Sequence, residues 1–344
     1  MICCANQPQF RKKGSFRSAK VMVIHMLFSV IMPVYNGERF VENAISYVKA
    51  QTFTDYELVI VNDGSKDGTA AILKKYEDDP KIKIVTQPNG GVSRARNTAM
   101  ANAAGDYFAF LDCDDVWLPD HLATIADMIC RYPDGGTYAT LANFRLADGR
   151  EISNIGYFDD RPDAGAEIVY IQNFFAEYDR DKRAKTHAPS CACVSRAAAE
   201  KTGGFKVGCK IGEDLAFFLI AGIYFPVVLS RKITSVYEKG NSTATKDTSF
   251  DPDWFFFEDV KLILDDPSLS EDVKTHLRCV MQWYTMRRCR HLIIDGRKKE
   301  ARACYAEIGQ NKALTKDKLL TFGLLMLPVS VVKKIFAARW RNVG

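Results

Sequence analysis

Two aspartates separated by one residue are the part of this sequence with the clearest chemical potential. Asp112 and Asp114 directly follow the apolar run 107–111, and Asp115 comes next. Like charges this close raise each other's pKa unless a cation neutralises them. Carboxylate oxygens are the ligands that Mg²⁺ and Mn²⁺ prefer, and such a cation can also hold a diphosphate. The alternative interpretation is an Asp-rich turn that only precedes a helix near Leu118.

A second acidic pair, Glu213 and Asp214, lies at the predicted start of another helix. A carboxylate in a ligand site can take the proton of an attacking hydroxyl group, so this pair contains a candidate general base. Negative charge at a helix N-terminus is also favourable by itself. The second interpretation of the pair is therefore purely structural.

The elements that must position these acids follow a regular alternation. Short apolar runs, typical of buried strands, cover residues 28–34, 56–61, 81–86 and 107–111. Apolar residues at helical spacing lie between them, over 38–51, 67–77 and 93–103. This alternation predicts a parallel sheet with right-handed connections. Because ligands bind at the carboxyl ends of such strands, we expect the polar residues after each strand to share one site.

The alternation stops after the fourth strand. Residues 136–195 contain strand-like stretches among polar loops, which predicts a mixed sheet, and Pro226 divides the uncharged stretch 215–230 into a helix and a strand. The pattern beyond residue 250 is mostly helical, with a helical hairpin over 271–308. We predict three parts, namely a disordered basic tail over 1–27, an α/β domain over 28–245 and a helical region over 246–344.

Charge is distributed unevenly along the 344 residues. The net charge is +5, but residues 1–27 contribute +5 and residues 312–344 contribute +6, so the body over 28–311 carries −6. An acidic body argues against a nucleic-acid-binding domain, because such domains concentrate positive charge on their folded surface. A composition with 47% hydrophobic and 26% charged residues excludes collagen-like and disordered classes.

The basic C-terminal end has an apolar neighbour. Residues 319–332 are uncharged, and Lys333, Lys334 and Trp340 follow them. The stretch is too short to span a bilayer and Pro328 interrupts it. Such a segment is typical of a helix that lies in a membrane interface, and the alternative is a core-packed terminal helix with a solvated end. We expect a cytoplasmic protein with peripheral membrane contact.

Five segments resemble, in order and spacing, family 2 glycosyltransferases of the GT-A fold. They are 28–36 (FSVIMPVYN), 61–69 (VNDGSKDGT), 89–97 (NGGVSRARN), 110–115 (FLDCDD) and 212–214 (GED). The resemblance implies a Rossmann-like mixed α/β sheet flanked by helices, followed here by a helical C-terminal extension. It also implies a metal-dependent inverting transferase of the bacterial surface-polysaccharide type. Such an enzyme moves a sugar from a nucleotide-sugar, most often a UDP-sugar, to a hydroxyl of a lipid-linked or polysaccharide acceptor.

The same resemblance implies roles for individual residues. Asp214 would be the catalytic base, and Asp114 together with Asp112 would bind Mg²⁺ or Mn²⁺ to stabilise the departing diphosphate. Asp63 would accept a hydrogen bond from uracil. Arg96, with Arg94 as a second candidate, would meet the donor phosphate near a helix N-terminus, where glycines allow close approach. The donor-binding set is Pro33, Val34, Tyr35, Glu38, Asp63, Gly91, Arg96, Asp112, Cys113 and Asp114.

Three other functions fit parts of the pattern. A nucleotidyltransferase needs a Gly-rich basic loop after the first strand, which residues 34–37 do not supply, and an NAD-linked oxidoreductase needs a GxGxxG loop there. A non-catalytic protein that binds sugar nucleotides would not need its acidic residues, and Asp112, Asp114 and Asp214 are all present. The patterns around His187, Lys239 and Lys246 favour structural or solvent-exposed roles over contacts with a donor.

Overall fold

The structure is a computed structural model, and it describes residues 2–3, 23–24, 27–146, 148–153, 156–159, 165–181, 189–209, 212–238, 256–309 and 314–341. These residues fall into two units. The first contains the described residues of 1–174, 183–208 and 213–246, and the second those of 175–182, 209–212 and 247–344. The three-part division at residues 27 and 245 stays a prediction.

Every strand in the described ranges belongs to the first unit. They are β1 (Ile2–Cys3), β2 (Val23–Ile24), β3 (Phe28–Val34), β4 (Tyr56–Asn62), β5 (Ile82–Thr86), β6 (Tyr107–Phe110), β7 (Val116–Trp117), β8 (Thr137–Arg145), β9 (Glu151–Ser153), β10 (Ile168–Ile171), β11 (Ala192–Ser195) and β12 (Val227–Glu238). β1 and β2 pair with each other. The other ten form a mixed sheet with the central order β10-β12-β8-β11-β6-β3-β4-β5.

Helices connect these strands and make up the second unit. They are α1 (Val41–Lys49), α2 (Thr69–Lys74), α3 (Val92–Ala101), α4 (His121–Arg131), α5 (Gly156–Asp159), α6 (Phe174–Arg180), α7 (Arg196–Thr202), α8 (Glu213–Tyr224), α9 (Phe256–Leu264), α10 (Glu271–Ile294), α11 (Lys298–Ala306), α12 (Thr315–Met326) and α13 (Val329–Arg341). A 3₁₀ turn over Pro189–Cys191 precedes β11.

The parallel half of the sheet sets the position of the site. β6, β3, β4 and β5 run parallel to one another, and every residue of β3 is buried. A strand buried on both faces reads as a continuous apolar run, which is why this segment is recognisable from the sequence. The carboxyl ends of all four strands therefore meet at one edge, where the polar residues follow them.

The other half of the sheet reverses direction. β11 is antiparallel to both β6 and β8, whereas β12 runs parallel to β8 with shifts in register between Leu229 and Ser235. The short strand β7 pairs with β12 through Trp117 and Ser235. This pairing holds the chain that follows Asp115 against the end of β12, close to residues 112–115, which we name the acidic loop.

The second unit contains a helical hairpin and two C-terminal helices. Ser270 caps α10 by accepting a hydrogen bond from the Val273 amide, and Gly296 adopts a positive φ of 83° in the turn before α11. Buried residues of α10, α11, α12 and α13 form one apolar cluster, which includes Cys289, Leu292, Ala301, Leu324, Leu325 and Val332. In the described part of the chain, no helix combines the length and apolarity that a bilayer crossing requires.

Candidate active site

The loops after β3 and β4 are tied together by side chains. Asn36 donates its amide to Ser65 Oγ and accepts the Lys66 amide with its side-chain oxygen. Glu38 Oε2 accepts the Gly68 amide over 3.0 Å, and Thr69 Oγ1 accepts the Gly37 amide. Glu38, a predicted donor-site residue, therefore holds the next loop in place in this structure.

Asp63 is buried and accepts hydrogen bonds from the loop after β5. Its carboxylate accepts the amides of Gly90 and Gly91, at 2.9 and 2.8 Å, and the Gln87 side-chain amide at 2.6 Å. Gly91 has φ of +85°, a conformation that side-chain-bearing residues rarely adopt, and it directly precedes α3. Asp63 thus fixes the glycine loop at the start of α3. Its predicted hydrogen bond to uracil stays a prediction.

Four residues of the predicted donor-binding set differ in what they expose. The Tyr35 side chain is exposed at the end of β3, whereas Pro33 and Val34 are buried in the strand. The Val34 carbonyl already accepts the Asp63 amide. Cys113 packs inward, because a Cβ atom built on Gly37 would lie 3.2 Å from its Sγ. Of these four side chains, Tyr35 is the one positioned to contact a ligand.

Arg96 connects three parts of the site. Its Nη2 atom donates to both carboxylate oxygens of Asp112, at 2.8 and 3.0 Å, and its Nη1 atom donates to Glu213 Oε1 at 3.2 Å. The side chain is almost fully buried, with 4% of its surface exposed. Burial by itself lowers the pKa of Arg96, but Asp112 and Glu213 outweigh burial and raise it above its ordinary value. The arginine is therefore a fixed positive charge between two carboxylates.

Arg96 and its neighbour Asn97 also hold the turn before α8. The guanidinium carbon of Arg96 lies 5.2 Å from the centre of the Phe205 ring. Asn97 Nδ2 donates to the Phe205 carbonyl at 2.7 Å, and Asn97 Oδ1 accepts the Phe205 amide at 2.8 Å. The Phe205 ring stacks on Phe217 of α8 at 4.0 Å. Asn97 is the last residue of the segment 89–97, and no role was predicted for it.

The negative charge of Asp114 has no cationic partner to neutralise it among the described residues. Asp114 is half-buried and forms no ion pair with another described residue. Burial, then the nearby Asp112 carboxylate, raises its pKa to about 6. Asp112, by contrast, has Arg96 as its counterion. A divalent cation fits this arrangement through Asp114, with Asp112 as a second, already neutralised carboxylate.

No cluster of three or more His, Cys, Asp or Glu side chains able to hold a metal occurs in the described ranges. This is compatible with a magnesium-type site, because Mg²⁺ is commonly held by one or two carboxylates together with water and substrate phosphates. The acidic loop supplies that number of ligands. The predicted metal ligation by Asp114 and Asp112 stays a prediction.

Asp115 and Ser190 hold the acidic loop in place through hydrogen bonds. Ser190 Oγ donates to Asp115 Oδ2 and accepts the Asp112 amide, and the Ser190 carbonyl accepts the Trp117 indole N–H. Burial, then Asp112, raises the pKa of Asp115 well above its ordinary value. Ser190 was not predictable from the sequence, because a serine that lies 78 positions after Asp112 carries no local signal of this contact.

Asp214 lies in the first turn of α8, beside Glu213. Its Oδ1 atom accepts the Leu215 amide at 2.6 Å. Burial raises the pKa of Asp214, and Arg96 opposes that effect. Burial, then Asp214, likewise raises the pKa of Glu213. Both carboxylates belong to the group around Arg96, which brings the predicted base to the acidic loop.

Arg94 differs from Arg96 although it lies only two positions away. Its side chain is exposed, and it makes no hydrogen bond or ion pair within the ranges the structure describes. It lies over Gly90, since a Cβ atom built there would be 2.3 Å from Arg94 Cδ. Arg94 is thus a cation at the glycine loop that no protein carboxylate neutralises in those ranges. His187, Lys239 and Lys246 lie outside the described residues.

Comparisons with known proteins identify a related family. The family model Glycosyl transferase family 2 matches residues 29–203. The glycosyltransferase GlyA of Streptococcus pneumoniae serotype 4 is 33% identical over 197 residues, which is 56% of this chain and 27% of GlyA. A protein named for teichuronic acid biosynthesis, TuaG of Bacillus subtilis, is 44% identical over 98 residues, or 28% of this chain and 39% of TuaG. The aligned regions thus span well under half the length of these relatives.

Two solved structures show the same fold at low sequence identity. TarS 1–349 of S. aureus in complex with UDP-GlcNAc has a TM-score of 0.61 and 20% identity, covering 87% of this chain and 80% of that chain. The mannosyltransferase PcManGT from Pyrobaculum calidifontis, with GDP-Man and Mn²⁺, has a TM-score of 0.53 and 18% identity, covering 90% and 84%. The predicted fold, a GT-A mixed sheet flanked by helices with a helical C-terminal region, is confirmed.

Proposed function

The chain belongs to glycosyl transferase family 2, and from that premise we propose that it transfers a sugar from a nucleotide-sugar to a hydroxyl acceptor with inversion at the anomeric carbon. The observation that carries the proposal is the convergence on Arg96 of Asp112, from the loop after β6, and Glu213, from the start of α8. Residues that the family pattern links only by order along the chain are here in contact. Retention of Asp112, Asp114 and Asp214 favours catalysis over a binding-only role.

Asp214 acts as the general base in this proposal. An inverting transfer requires a carboxylate on the acceptor side, which takes the proton as the hydroxyl attacks the anomeric carbon. Burial raises the pKa of Asp214, which increases its basicity, and the nearby Arg96 opposes that shift. The neighbouring Glu213 bonds to Arg96 and is assigned to holding the site in shape.

Asp114 and Asp112 hold Mg²⁺ or Mn²⁺. When bound, the cation offsets the charge of the departing diphosphate. Asp114 supports this role because it is half-buried and no described cation pairs with it. Arg96 limits the negative charge that Asp112 adds to the site. The PcManGT complex contains Mn²⁺, which supports the use of a divalent cation in general.

The donor is proposed to be a UDP-sugar bound at the edge formed by the loops after β3 and β5. Tyr35 presents an exposed ring against which a base can stack. Arg94 and the amides at the start of α3 are placed to meet phosphate, because a helix N-terminus favours anions. Arg94 takes the phosphate role first expected of Arg96, whose donor atoms point to Asp112 and Glu213. The UDP-GlcNAc complex of TarS supports a uridine donor.

The acceptor is proposed to be a lipid-linked or polysaccharide glycan that is assembled at the cytoplasmic face of the membrane. The relation to TuaG supports a role in cell-surface glycan synthesis. The basic C-terminal segment supports peripheral contact with the membrane.

A donor screen tests the proposal. UDP-sugars, GDP-mannose and dTDP-rhamnose are incubated with the protein and Mn²⁺, and release of the nucleoside diphosphate is measured. We expect one UDP-sugar to be hydrolysed or to stabilise the protein thermally. Asp214→Asn should lower the rate by about 10²- to 10⁴-fold while UDP binding in calorimetry stays unchanged. Full activity of Asp214→Asn with intact folding would show that the base is assigned wrongly.

A further inference from the structure

The outward face of α12 is unusually apolar. Leu319, Leu320, Phe322 and Met326 expose 66, 47, 50 and 68% of their surfaces. Leu319, Phe322 and Met326 are spaced at i, i+3 and i+7, so they share one side of the helix. This side is distinct from the one that packs inward, where Leu324 and Leu325 join the apolar cluster of the second unit.

The uncharged stretch continues along the sequence into the next helix, which also has exposed apolar residues. No charged residue occurs from Leu319 to Val332, and Val331 and Ile335 of α13 are also exposed. Isolated exposed apolar residues are ordinary on protein surfaces, whereas a contiguous group of them marks a site of interaction. α12 has one apolar side that is buried and a second that is exposed. The exposed side is therefore a candidate site for binding a partner.

Cations border the apolar side at both ends. Lys316 precedes it, and Lys333 and Lys334 follow it, all three with exposed side chains. The one acid between residues 312 and 344 is Asp317, and its carboxylate is 2.7 Å from Arg290 Nη2 of α10. The negative charge of Asp317 is therefore neutralised inside the unit, which leaves the surface of this region strongly positive.

We infer that this side of α12 and α13 docks on an anionic lipid bilayer and lies in its interface. We name it the α12–α13 face, which consists of Lys316, Leu319, Leu320, Phe322, Met326, Val331, Lys333, Lys334 and Ile335. Apolar side chains would enter the boundary between headgroups and acyl chains, and the lysines would meet anionic headgroups. The inference deepens the proposed function and rests on it for the location of the acceptor.

A second copy of the chain is a less suitable occupant. Two such faces brought together would place two strongly basic segments against each other, and like charges across an interface are unfavourable. Charge complementarity thus selects a negatively charged surface.

Vesicle sedimentation with the full chain tests the inference. The vesicles contain either phosphatidylcholine alone or phosphatidylcholine mixed with phosphatidylglycerol, and no sugar donor is present. We expect the wild-type protein to sediment with the mixed vesicles and to be released by added salt. The double variant Leu319→Glu with Phe322→Glu should bind about tenfold more weakly or worse. Lys333→Gln and Lys334→Gln should each weaken binding about fivefold.

Leu262→Glu provides the matched control. Leu262 is 75% exposed on α9 and lies outside the α12–α13 face, so its replacement should leave vesicle binding unchanged. Wild-type protein that stays in solution with both vesicle types would overturn the inference, as would unchanged binding by the double variant. A concentration-dependent dimer that the double variant converts to a monomer would also overturn it, in favour of self-association.

Donor hydrolysis measured in the same samples separates the two proposals. Leu319 and Phe322 are not part of the catalytic site, so the double variant should hydrolyse the donor at the wild-type rate in the absence of vesicles. Vesicle binding without hydrolysis of any donor would refute the proposed function and leave the docking surface standing. Hydrolysis of a donor without vesicle binding would refute the docking surface and leave the proposed function standing.

Discussion

The guanidinium of Arg96 donates to both carboxylate oxygens of Asp112, at 2.8 and 3.0 Å, from a nearly inaccessible position. Arg96 is in α3 and Asp112 follows β6, so the contact joins the helix before β6 to the loop after it. It supplies the counterion that a pair of adjacent aspartates requires. The consequence is an asymmetric pair, in which Asp112 is neutralised by the protein and Asp114 is left for a cation.

Replacement of Arg96 by Met should destabilise the first unit. The change leaves Asp112 and Glu213 without their counterion, and the loss of one partner of a buried ion pair costs about 3 kcal/mol. Arg96→Lys should lower the free energy of unfolding by a smaller amount, because lysine keeps the positive charge. Some loss is still expected, since lysine lacks the forked geometry of the guanidinium. Urea unfolding followed by circular dichroism gives the free energies of unfolding.

Arg94→Met is the matched control for that experiment. Its exposed side chain has no partner in the described ranges, so the free energy of unfolding should change by less than about 0.5 kcal/mol. The same variant should weaken UDP binding in calorimetry. Equal destabilisation by the two variants would mean that the buried contacts of Arg96 do not stabilise the fold.

Asp63→Asn should loosen the glycine loop before α3. An amide group in place of one carboxylate oxygen would face the amides of Gly90 or Gly91 with a donor, leaving an N–H unpaired. We expect a loss of about 2 kcal/mol in the free energy of unfolding. The exposed Asp78→Asn change should have little effect. Weakened UDP binding with no loss of stability would instead assign Asp63 to uracil alone.

Mn²⁺-dependent binding of UDP should weaken as the pH falls through about 6, where Asp114 takes up a proton. The pKa of Asp114 is raised, so its ionised form, the form that can ligate a metal, is lost at a higher pH than usual. Calorimetric titration of UDP with and without Mn²⁺ measures the effect. Asp114→Asn should abolish the dependence on Mn²⁺.

Asp106→Asn, at the opposite end of β6, is the control for the metal experiment. Asp106 is exposed and directly precedes that strand, so this variant should keep the response of the wild-type protein to Mn²⁺. If Asp114→Asn also kept the full response to Mn²⁺, Asp114 would not be a metal ligand.

His121 should make stability depend on pH. It is fully buried, it is hydrogen-bonded through Nδ1 to Thr234, and burial lowers its pKa to about 3. The unfolded chain binds a proton below about pH 6.5 and the folded chain does not, so stability falls as the pH falls through that value. Between about pH 7.5 and 5.5 the contribution is about 1.4 kcal/mol.

The variant His121→Phe isolates this contribution. It removes the titrating group and keeps an aromatic ring beside Trp117, whose ring stacks on His121 at 4.2 Å. The melting temperature of the wild-type protein should therefore fall more between the two pH values than that of the variant. Parallel declines in the two proteins would show that His121 titrates normally in the folded state.

The positions of β3 and β4 were predictable because both faces of these two strands are buried. β3 begins and ends where the apolar run 28–34 does, and β4 extends the predicted strand 56–61 by one residue. The helix and strand on either side of Pro226 and the hairpin over 271–308 also agree with the structure. The order of β11, β8 and β12 was not predictable, because antiparallel insertion leaves no period in the sequence.

Periodicity and motif spacing were enough to indicate the α/β class, the edge at which the polar residues gather and the acidic residues placed there. Tertiary structure alone decided how those residues are paired. The fold buries Arg96 against Asp112 and Glu213, which lie 16 and 117 positions away, and its predicted contact with the donor stays a prediction. Local periodicity records which side of a helix is buried, whereas a buried charge takes its partner from whichever strand end the sheet brings within hydrogen-bond distance.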